Sequence, residues 1–234
     1  MKLTILETGS VPAALTGKYP SYPEMFRAMF ERDGARYGYD VVRIIDGAPL
    51  PEPGEQDAVL ITGSSAGVYE DHAWLDPLRD FIRRAYSVRT KMVGICFGHQ
   101  VIADALGGEV RKSEKGWGLG RHNYEILPFA PYFDLPRASL SIACSHQDQV
   151  ITPPDQARVV LRSDFAPNAG LVYRNGAAMS FQPHPEFGDP YARALIDLRR
   201  GRASDDVIEK AGASMCQPSD SALLVRAITR FLAS

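Results

Sequence analysis

The sequence predicts an α/β fold with a mostly parallel central sheet flanked by helices, and three observations carry that prediction. Short β-branched runs alternate with longer amphipathic segments through the first half, the pattern of βα units feeding a parallel sheet. Two of those runs, residues 58–62 and 92–95, are nearly continuous hydrophobics, as in strands covered on both faces. After Gly107-Gly108 the pattern changes to closely spaced β-rich segments, so antiparallel strands are expected to extend the sheet.

The elements follow in order. Strands are expected at residues 3–6, 41–45, 58–62 and 92–95, the last two forming the sheet's centre. Between them, Met25, Phe26, Met29 and Phe30 share one stripe of a helix over residues 22–32. Leu75, Leu78, Phe81, Ile82 and Tyr86 share one stripe of a helix over residues 75–86. A short helix over residues 100–106 follows the fourth strand. The β-rich segments are 109–111, 122–127, 139–144, 157–161, 169–173 and 177–181. Asn175-Gly176, between the last two, is the strongest hairpin signal, because both positions tolerate positive φ. Residues 191–200 and 221–232 read as helices, and the polar, small-residue stretch 204–220 between them reads as a surface loop with a turn of helix.

With 234 residues, 45% hydrophobic and 23% charged, the chain fits a single globular domain and excludes disorder, collagen and coiled coil. At this length about 70% of the unfolded surface is buried on folding, so neither a disulfide nor a metal is needed for stability. Cys96, Cys144 and Cys216 are odd in number and widely spaced, which argues against a disulfide framework or a zinc site and for a reducing compartment. Twenty-six Lys and Arg against 28 Asp and Glu leave a net charge of −2, and no stretch is basic enough to capture nucleic acid. The apolar stretches are strand-sized and no membrane span is expected. An amino terminus that meets Glu7 after a short apolar run lacks a signal-peptide pattern, so a cytoplasmic protein is expected.

The sharpest chemical feature is Val93-Gly94-Ile95-Cys96-Phe97-Gly98-His99-Gln100, where a buried-type strand runs into a cysteine flanked by glycines and then into a helix. That is the shape of a nucleophile elbow: the turn lifts the side chain clear of the sheet, and glycines at −2 and +2 let the backbone pass without Cβ clashes. A helix N-terminus beside the thiol favours its anion. The backbone N–H of Phe97 can be offered to an oxyanion. A thiolate nucleophile wants a histidine, and the histidine an orienting acceptor. His184 lies in Phe181-Gln182-Pro183-His184-Pro185-Glu186-Phe187, where prolines stiffen the chain and residues 184 and 186 point the same way if extended. A Cys96–His184–Glu186 triad is expected.

The elbow Gly94-Ile95-Cys96-Phe97-Gly98-His99-Gln100, followed by Gln182-Pro183-His184-Pro185-Glu186-Phe187, resembles the class I, triad-type glutamine amidotransferases, over roughly residues 40–190. The resemblance implies a flavodoxin-like domain spanning residues 1–234, with a core over about 40–190 and a C-terminal helical extension over 191–234. It also implies a glutaminase chemistry with Cys96 as nucleophile, His184 as base and then acid, and Glu186 orienting the imidazole. By the same resemblance Ile61-Thr62-Gly63-Ser64-Ser65 is the oxyanion strand, with an N–H from Gly63 or Ser64 joining that of Phe97; the alternative is an ordinary βα turn. Ser145-His146-Gln147-Asp148 would line the glutamine pocket, with Gln100 helping to hold the substrate, although the side chains of His146 and Asp148 read better as a structural pair. Cys144 reads as core.

Nothing in the sequence resembles a phosphate loop, and no metal or cofactor is expected. The segments Thr8-Gly9-Ser10-Val11-Pro12, Tyr19-Pro20-Ser21-Tyr22-Pro23 and Tyr69-Glu70-Asp71-His72-Ala73-Trp74 resemble the stand-alone, GMP-synthase-like branch that includes plant γ-glutamyl peptidases. The expectation is therefore a hydrolase that cleaves a γ-glutamyl amide, in L-glutamine or a γ-glutamyl compound, and releases ammonia or an amine. One alternative is a glutaminase that depends on a separate synthase for its activation. Another is a non-catalytic binding protein. Side chains reading the leaving group are expected in the loops 8–22 and 63–74. Residues 129–133, bracketed by Pro128, Pro131 and Pro136, read either as a partner-facing surface or as an ordinary loop.

Overall fold

The computed structural model describes residues 1–128, 130–133 and 137–234. Phe129 and Pro136, which belong to the proline-bracketed stretch, lie outside that set. In chain order the elements are β1 (Lys2–Glu7), α1 (Tyr22–Arg32), β2 (Gly38–Arg43), β3 (Ala58–Ile61), α2 (Leu75–Ser87), β4 (Lys91–Ile95), α3 (Phe97–Ala105), β5 (Glu109–Lys112) and β6 (Gly118–Ile126). Then come β7 (Ser139–His146), β8 (Asp148–Thr152), β9 (Ala157–Arg162), β10 (Gly170–Tyr173), β11 (Ala178–Phe181), α4 (Asp189–Leu198), α5 (Asp205–Ser214) and α6 (Ser221–Leu232).

The main sheet runs β2-β1-β3-β4-β11-β10-β9-β6-β7. Its first five strands are mutually parallel, and from β11 onward each neighbour is antiparallel. Every residue of β3, β10 and β11 is buried, which accounts for their nearly unbroken apolar sequences. On one face, Phe26 and Phe30 of α1 pack with Leu224, Ile228 and Phe231 of α6. The other face is covered by Leu78, Phe81 and Ile82 of α2 and Val101 and Ile102 of α3. The helix α6, part of the expected C-terminal extension, thus shares a core with the amino-terminal helix. The start of α1 is fixed by a capping box, in which the Ser21 N–H donates to Glu24 Oε2 at 2.7 Å and the Glu24 N–H donates to Ser21 Oγ at 3.4 Å. No helix among the described residues is long and apolar enough to cross a membrane.

Three elements differ from the sequence expectation. Residues 205–214 form the helix α5, not a loop with a single turn. Only Ile208 and Ala211 of α5 are buried, too few to print a stripe in the sequence. It is held by a tight approach to β6, where Gly120 takes φ +77° and a Cβ would meet Ser214 Oγ at 2.4 Å and the Ala211 carbonyl oxygen at 2.6 Å. The second difference is β8, which pairs with β5 as a separate two-stranded sheet. The third is local: residues 44–46 leave the strand for a 3₁₀ turn that buries Ile44. At the Asn175-Gly176 hairpin only Gly176 uses positive φ, and the Asn175 side chain accepts from the Ala177 N–H at 2.9 Å.

Buried Arg121 on β6 binds the later helices together. Its guanidinium donates to the Met215 carbonyl at 3.1 Å and to the Gln217 carbonyl beyond α5, and it pairs with Asp189 at the start of α4. The start of α4 is thereby fixed two residues after the Pro-rich segment that carries His184 and Glu186.

Candidate active site

The carboxyl ends of β1, β3, β4 and β11 converge on one crevice, where open α/β sheets bind their ligands. Cys96 lies there between β4 and α3, at φ 54° and ψ −102°. Positive φ at a side-chain-bearing residue costs about 1–3 kcal/mol and persists only where the surroundings enforce it. Here the Cys96 N–H donates to the Phe181 carbonyl at 2.8 Å, its carbonyl accepts from the Gln100 N–H at 3.1 Å, and the Gly98 N–H donates to the Thr62 carbonyl at 3.1 Å. The flanking glycines are required by contact: a Cβ on Gly94 would lie 2.4 Å from the Gly98 carbonyl oxygen, and one on Gly98 would lie 2.2 Å from that of Ile61.

His184 and Glu186 follow β11, the strand next to β4. The His184 N–H donates to the Ala143 carbonyl at 2.9 Å, and its ring stacks on Phe187 with centroids 3.8 Å apart. Its Nδ1 is 2.7 Å from Glu186 Oε1, so the Nδ1–H tautomer donates to the carboxylate and Nε2 is left toward the crevice. Both side chains are buried. The Cys96 sulfur is close enough to His184 to act on its charge. Burial pulls the imidazole's pKa down, but the Glu186 carboxylate and the Cys96 sulfur outweigh it and carry it up to about 10. Gly63 closes against both groups, since a Cβ there would lie 3.0 Å from His184 Cε1 and 3.7 Å from Cys96 Cβ.

The backbone at 63–64 has a fixed orientation. The Gly63 carbonyl accepts from Thr62 Oγ1 at 3.1 Å, a buried hydroxyl at the end of β3, while the Thr8 hydroxyl at the end of β1 donates to the Thr62 carbonyl at 2.9 Å. In a planar trans peptide the N–H of Ser64 points opposite to that carbonyl. Among the described residues neither the Ser64 nor the Phe97 N–H is taken up by a protein acceptor.

Cys96 stands between two pockets. One, of about 270 Å³, is lined by Ser64, Gln100, Ser145, His146, Gln147 and Asp148 and by Tyr69, Glu70, Lys112, Trp117, Arg199 and Arg202. The other, of about 330 Å³, is lined by Gly63, His184, Phe187 and Tyr22, by Ser10, Pro12, Ala13 and Ala14 of the first loop, by Leu195 and Leu198 of α4, and by Arg199 and Arg202. The structure thus brings together Cys96, His184, Glu186, Gly63, Ser64, Phe97, Gln100, Ser145, His146 and Gln147. The internal bonding of the first pocket differs from the expectation. His146 Nδ1 bonds the Asp148 backbone carbonyl at 3.0 Å, not its carboxylate, which accepts from Tyr69 Oη at 3.0 and 3.1 Å. Burial pulls His146 down to about 3, so it is neutral. Gln100 Nε2 donates to the same Asp148 carbonyl at 2.8 Å and to Gln182 Oε1 at 3.1 Å, so its amide protons brace the wall.

His99, without an evident partner in the sequence, is buried with Nδ1 2.8 Å from Ser180 Oγ. Sequence reading missed Arg199 and Arg202, which border both pockets. As charges just beyond a helix they carry no signal that separates them from solvated surface. Among the described residues no cluster of His, Cys, Asp and Glu could hold a metal ion.

Residues 27–193 match the family described as glutamine amidotransferase class-I. Among curated proteins, γ-glutamyl peptidase 2 of Arabidopsis thaliana is 30% identical over 205 residues, covering 84% of this chain and 81% of that protein. A glutamine-hydrolyzing GMP synthase subunit of Sulfolobus acidocaldarius is 29% identical over 162 residues, covering 69% of this chain and 84% of that protein. Among solved structures, a glutamine amidotransferase from Thermotoga maritima superposes with a TM-score of 0.75 at 22% identity, covering 100% of this chain and 99% of that one.

Proposed function

Since the chain belongs to the class-I glutamine amidotransferase family, we propose that it is a self-sufficient hydrolase of γ-glutamyl amides working through a Cys96 thioester. His184, held protonated beside Glu186, carries at Nε2 the proton given up by Cys96, and Sγ attacks the γ-carbonyl carbon. The carbonyl electron pair moves to oxygen, where the N–H groups of Ser64 and Phe97 receive it; removal of one such donor typically costs about 10²–10³ in rate. The intermediate collapses by breaking the C–N bond, and the proton on His184 passes to the departing nitrogen, so that ammonia or an amine leaves. A water molecule then gives its proton to His184 and attacks the thioester, the C–S bond breaks, and the thiolate regains the proton as glutamate departs. Glu186 holds the imidazole by Nδ1 and stabilises the imidazolium formed in each half.

The observation that carries self-sufficiency is the Gly63 carbonyl, held by the buried Thr62 hydroxyl so that the Ser64 N–H is already turned the other way. A glutaminase waiting for its synthase would have no need of a hole aimed beforehand. The relatives named γ-glutamyl peptidase support water as the acceptor. The test is release of glutamate and of ammonia or amine from purified protein given L-glutamine and a panel of γ-glutamyl amides, with Cys96→Ala as the blank. Turnover that Cys96→Ala removes, in a mutant with unchanged circular dichroism, is the expected result. Turnover that survives in Cys96→Ala refutes the thioester route. Silence on every substrate, with Cys96 selectively alkylated, refutes self-sufficiency in favour of a synthase-dependent glutaminase.

A further inference from the structure

We infer that Phe187 is a positioning residue of the proposed hydrolysis, whose ring face fixes the plane of the His184 imidazole and stabilises its charged form. This rests on the hydrolase reading and adds a residue to its machinery.

The contact is set up by one turn. Across His184-Pro185-Glu186-Phe187 the Phe187 N–H returns to the His184 carbonyl at 3.4 Å, with proline at the second position, where its fixed φ suits a turn. That turn delivers two partners to the imidazole: Glu186 Oε1 to Nδ1 at 2.7 Å, and the Phe187 ring to its face. A single hydrogen bond leaves a ring free to tilt about the bond axis, and the aim of Nε2 into the crevice would drift with it. The stack removes that freedom. Phe187 is itself wedged, with Tyr191 of α4 packed across it at 4.7 Å and 81°, and Tyr22 of α1 at 6.2 Å and 27°. Tyr191 Oη donates to Tyr22 Oη at 3.2 Å, which ties the two helices together behind the ring.

The geometry also favours charge. Two neutral aromatic rings avoid a face-to-face sandwich, because their quadrupoles repel, and settle offset or edge-to-face with centroids about 4.5–7 Å apart. His184 and Phe187 are 3.8 Å apart and 7° from parallel, whereas the next closest ring pair among the described residues, Phe187 with Tyr191, is 4.7 Å apart and nearly perpendicular. Parallel rings so close can be displaced little sideways. A cation over a π face is attracted to it, most strongly when desolvated, and both side chains here are buried. The sandwich therefore suits the imidazolium that the mechanism forms in each half. Other groups also face the imidazole. The Glu186 carboxylate and the Cys96 sulfur favour its charge, His146 on β7 is neutral, and burial keeps the Tyr22 and Tyr191 hydroxyls protonated. Arg199 and Arg202, beyond α4, are the cations bordering the same pocket.

The test replaces Phe187 by pentafluorophenylalanine in the full chain, which keeps the ring's shape and reverses the charge of its face. His184 is titrated through its Cε1–H resonance by NMR, and kcat/KM is followed against pH on L-glutamine and the γ-glutamyl amide panel. The expected result is an imidazolium that loses its proton about one pH unit lower than in wild type, with the alkaline limb of kcat/KM moving down by the same amount. Phe187→Leu is expected to make the same shift and to lower kcat, and Phe187→Tyr, which keeps the face, to restore both; this pair decides the matter if the fluorinated chain fails to fold. A titration unshifted in the fluorinated protein, or in Phe187→Leu, overturns the inference and leaves Phe187 as packing. Absence of turnover in the wild type overturns the hydrolase reading alone, because the titration needs no substrate and still upholds or overturns the stack.

Discussion

In the proposed mechanism His184 and Glu186 divide the work of one catalytic unit, and their geometry ranks the cost of losing each. The imidazole would be base and acid in both half-reactions, whereas Glu186 acts on it from behind through a 2.7 Å bond. Glu186→Gln is therefore expected to cost less in kcat than His184→Ala; the reverse order in steady-state kinetics would overturn this division. The same pair predicts a pH dependence of stability. The folded pKa of His184, about 10, is raised above its ordinary value near 6.5, so the pair's stabilisation is present in full below about pH 6.5 and fades as pH climbs toward 10. Urea denaturation of wild type and Glu186→Gln should show a gap that is wider at pH 6 than at pH 10. A gap that widens with pH would mean that the Glu186 bond does not raise the imidazole. The thiol of Cys144 behaves oppositely to a nucleophile: burial pushes it up to about 12, which keeps it protonated in the core.

At the scale of elements, the turn from β4 into α3 depends on two positions where no side chain fits. A Cβ at Gly98 would lie 2.2 Å from the backbone oxygen of Ile61, and a strand carbonyl cannot swing aside as a flexible side chain can. Gly98→Ala is expected to destabilise the protein by at least about 3 kcal/mol. A chemical-denaturation difference under about 1 kcal/mol would show that β3 yields more easily than the packing implies. This elbow is legible in the sequence because its requirements are local: apolar strand, glycines at fixed offsets, then helix. The same holds for His184 and Glu186, two residues apart. What escapes is non-local. The helix α5 is held by a glycine on β6 about ninety residues earlier. The strand β8 has only Gln149 and Val150 buried, so no alternation marks it. The sequence pairs Asp148 with His146, but Tyr69, seventy-nine residues away, takes that carboxylate. Arg199 and Arg202 follow an amphipathic helix, and their place beside both pockets can be read only in three dimensions.

For the whole molecule, the sheet's change of direction at β11 decides when the site exists. The parallel half and its helices follow the alternation printed in the first hundred residues. The antiparallel half is legible as β-rich, but its order, β10-β9-β6-β7, is not. Cys96 and His184 are eighty-eight residues apart in the chain yet end adjacent strands, β4 and β11, about 4.8 Å apart. Because β11 enters between β4 and β10, Cys96 acquires its histidine only when the two halves of the sheet join, and contacts of such long sequence separation form late. Assembly thus times reactivity: in the proposed mechanism Cys96 can act as a nucleophile only once His184 stands beside it, and that waits for the last central strand to arrive. Pulses of iodoacetamide at pH 6 during refolding should label Cys96 in step with the slowest folding phase. Labelling that precedes it would place the histidine beside the sulfur before the sheet has closed.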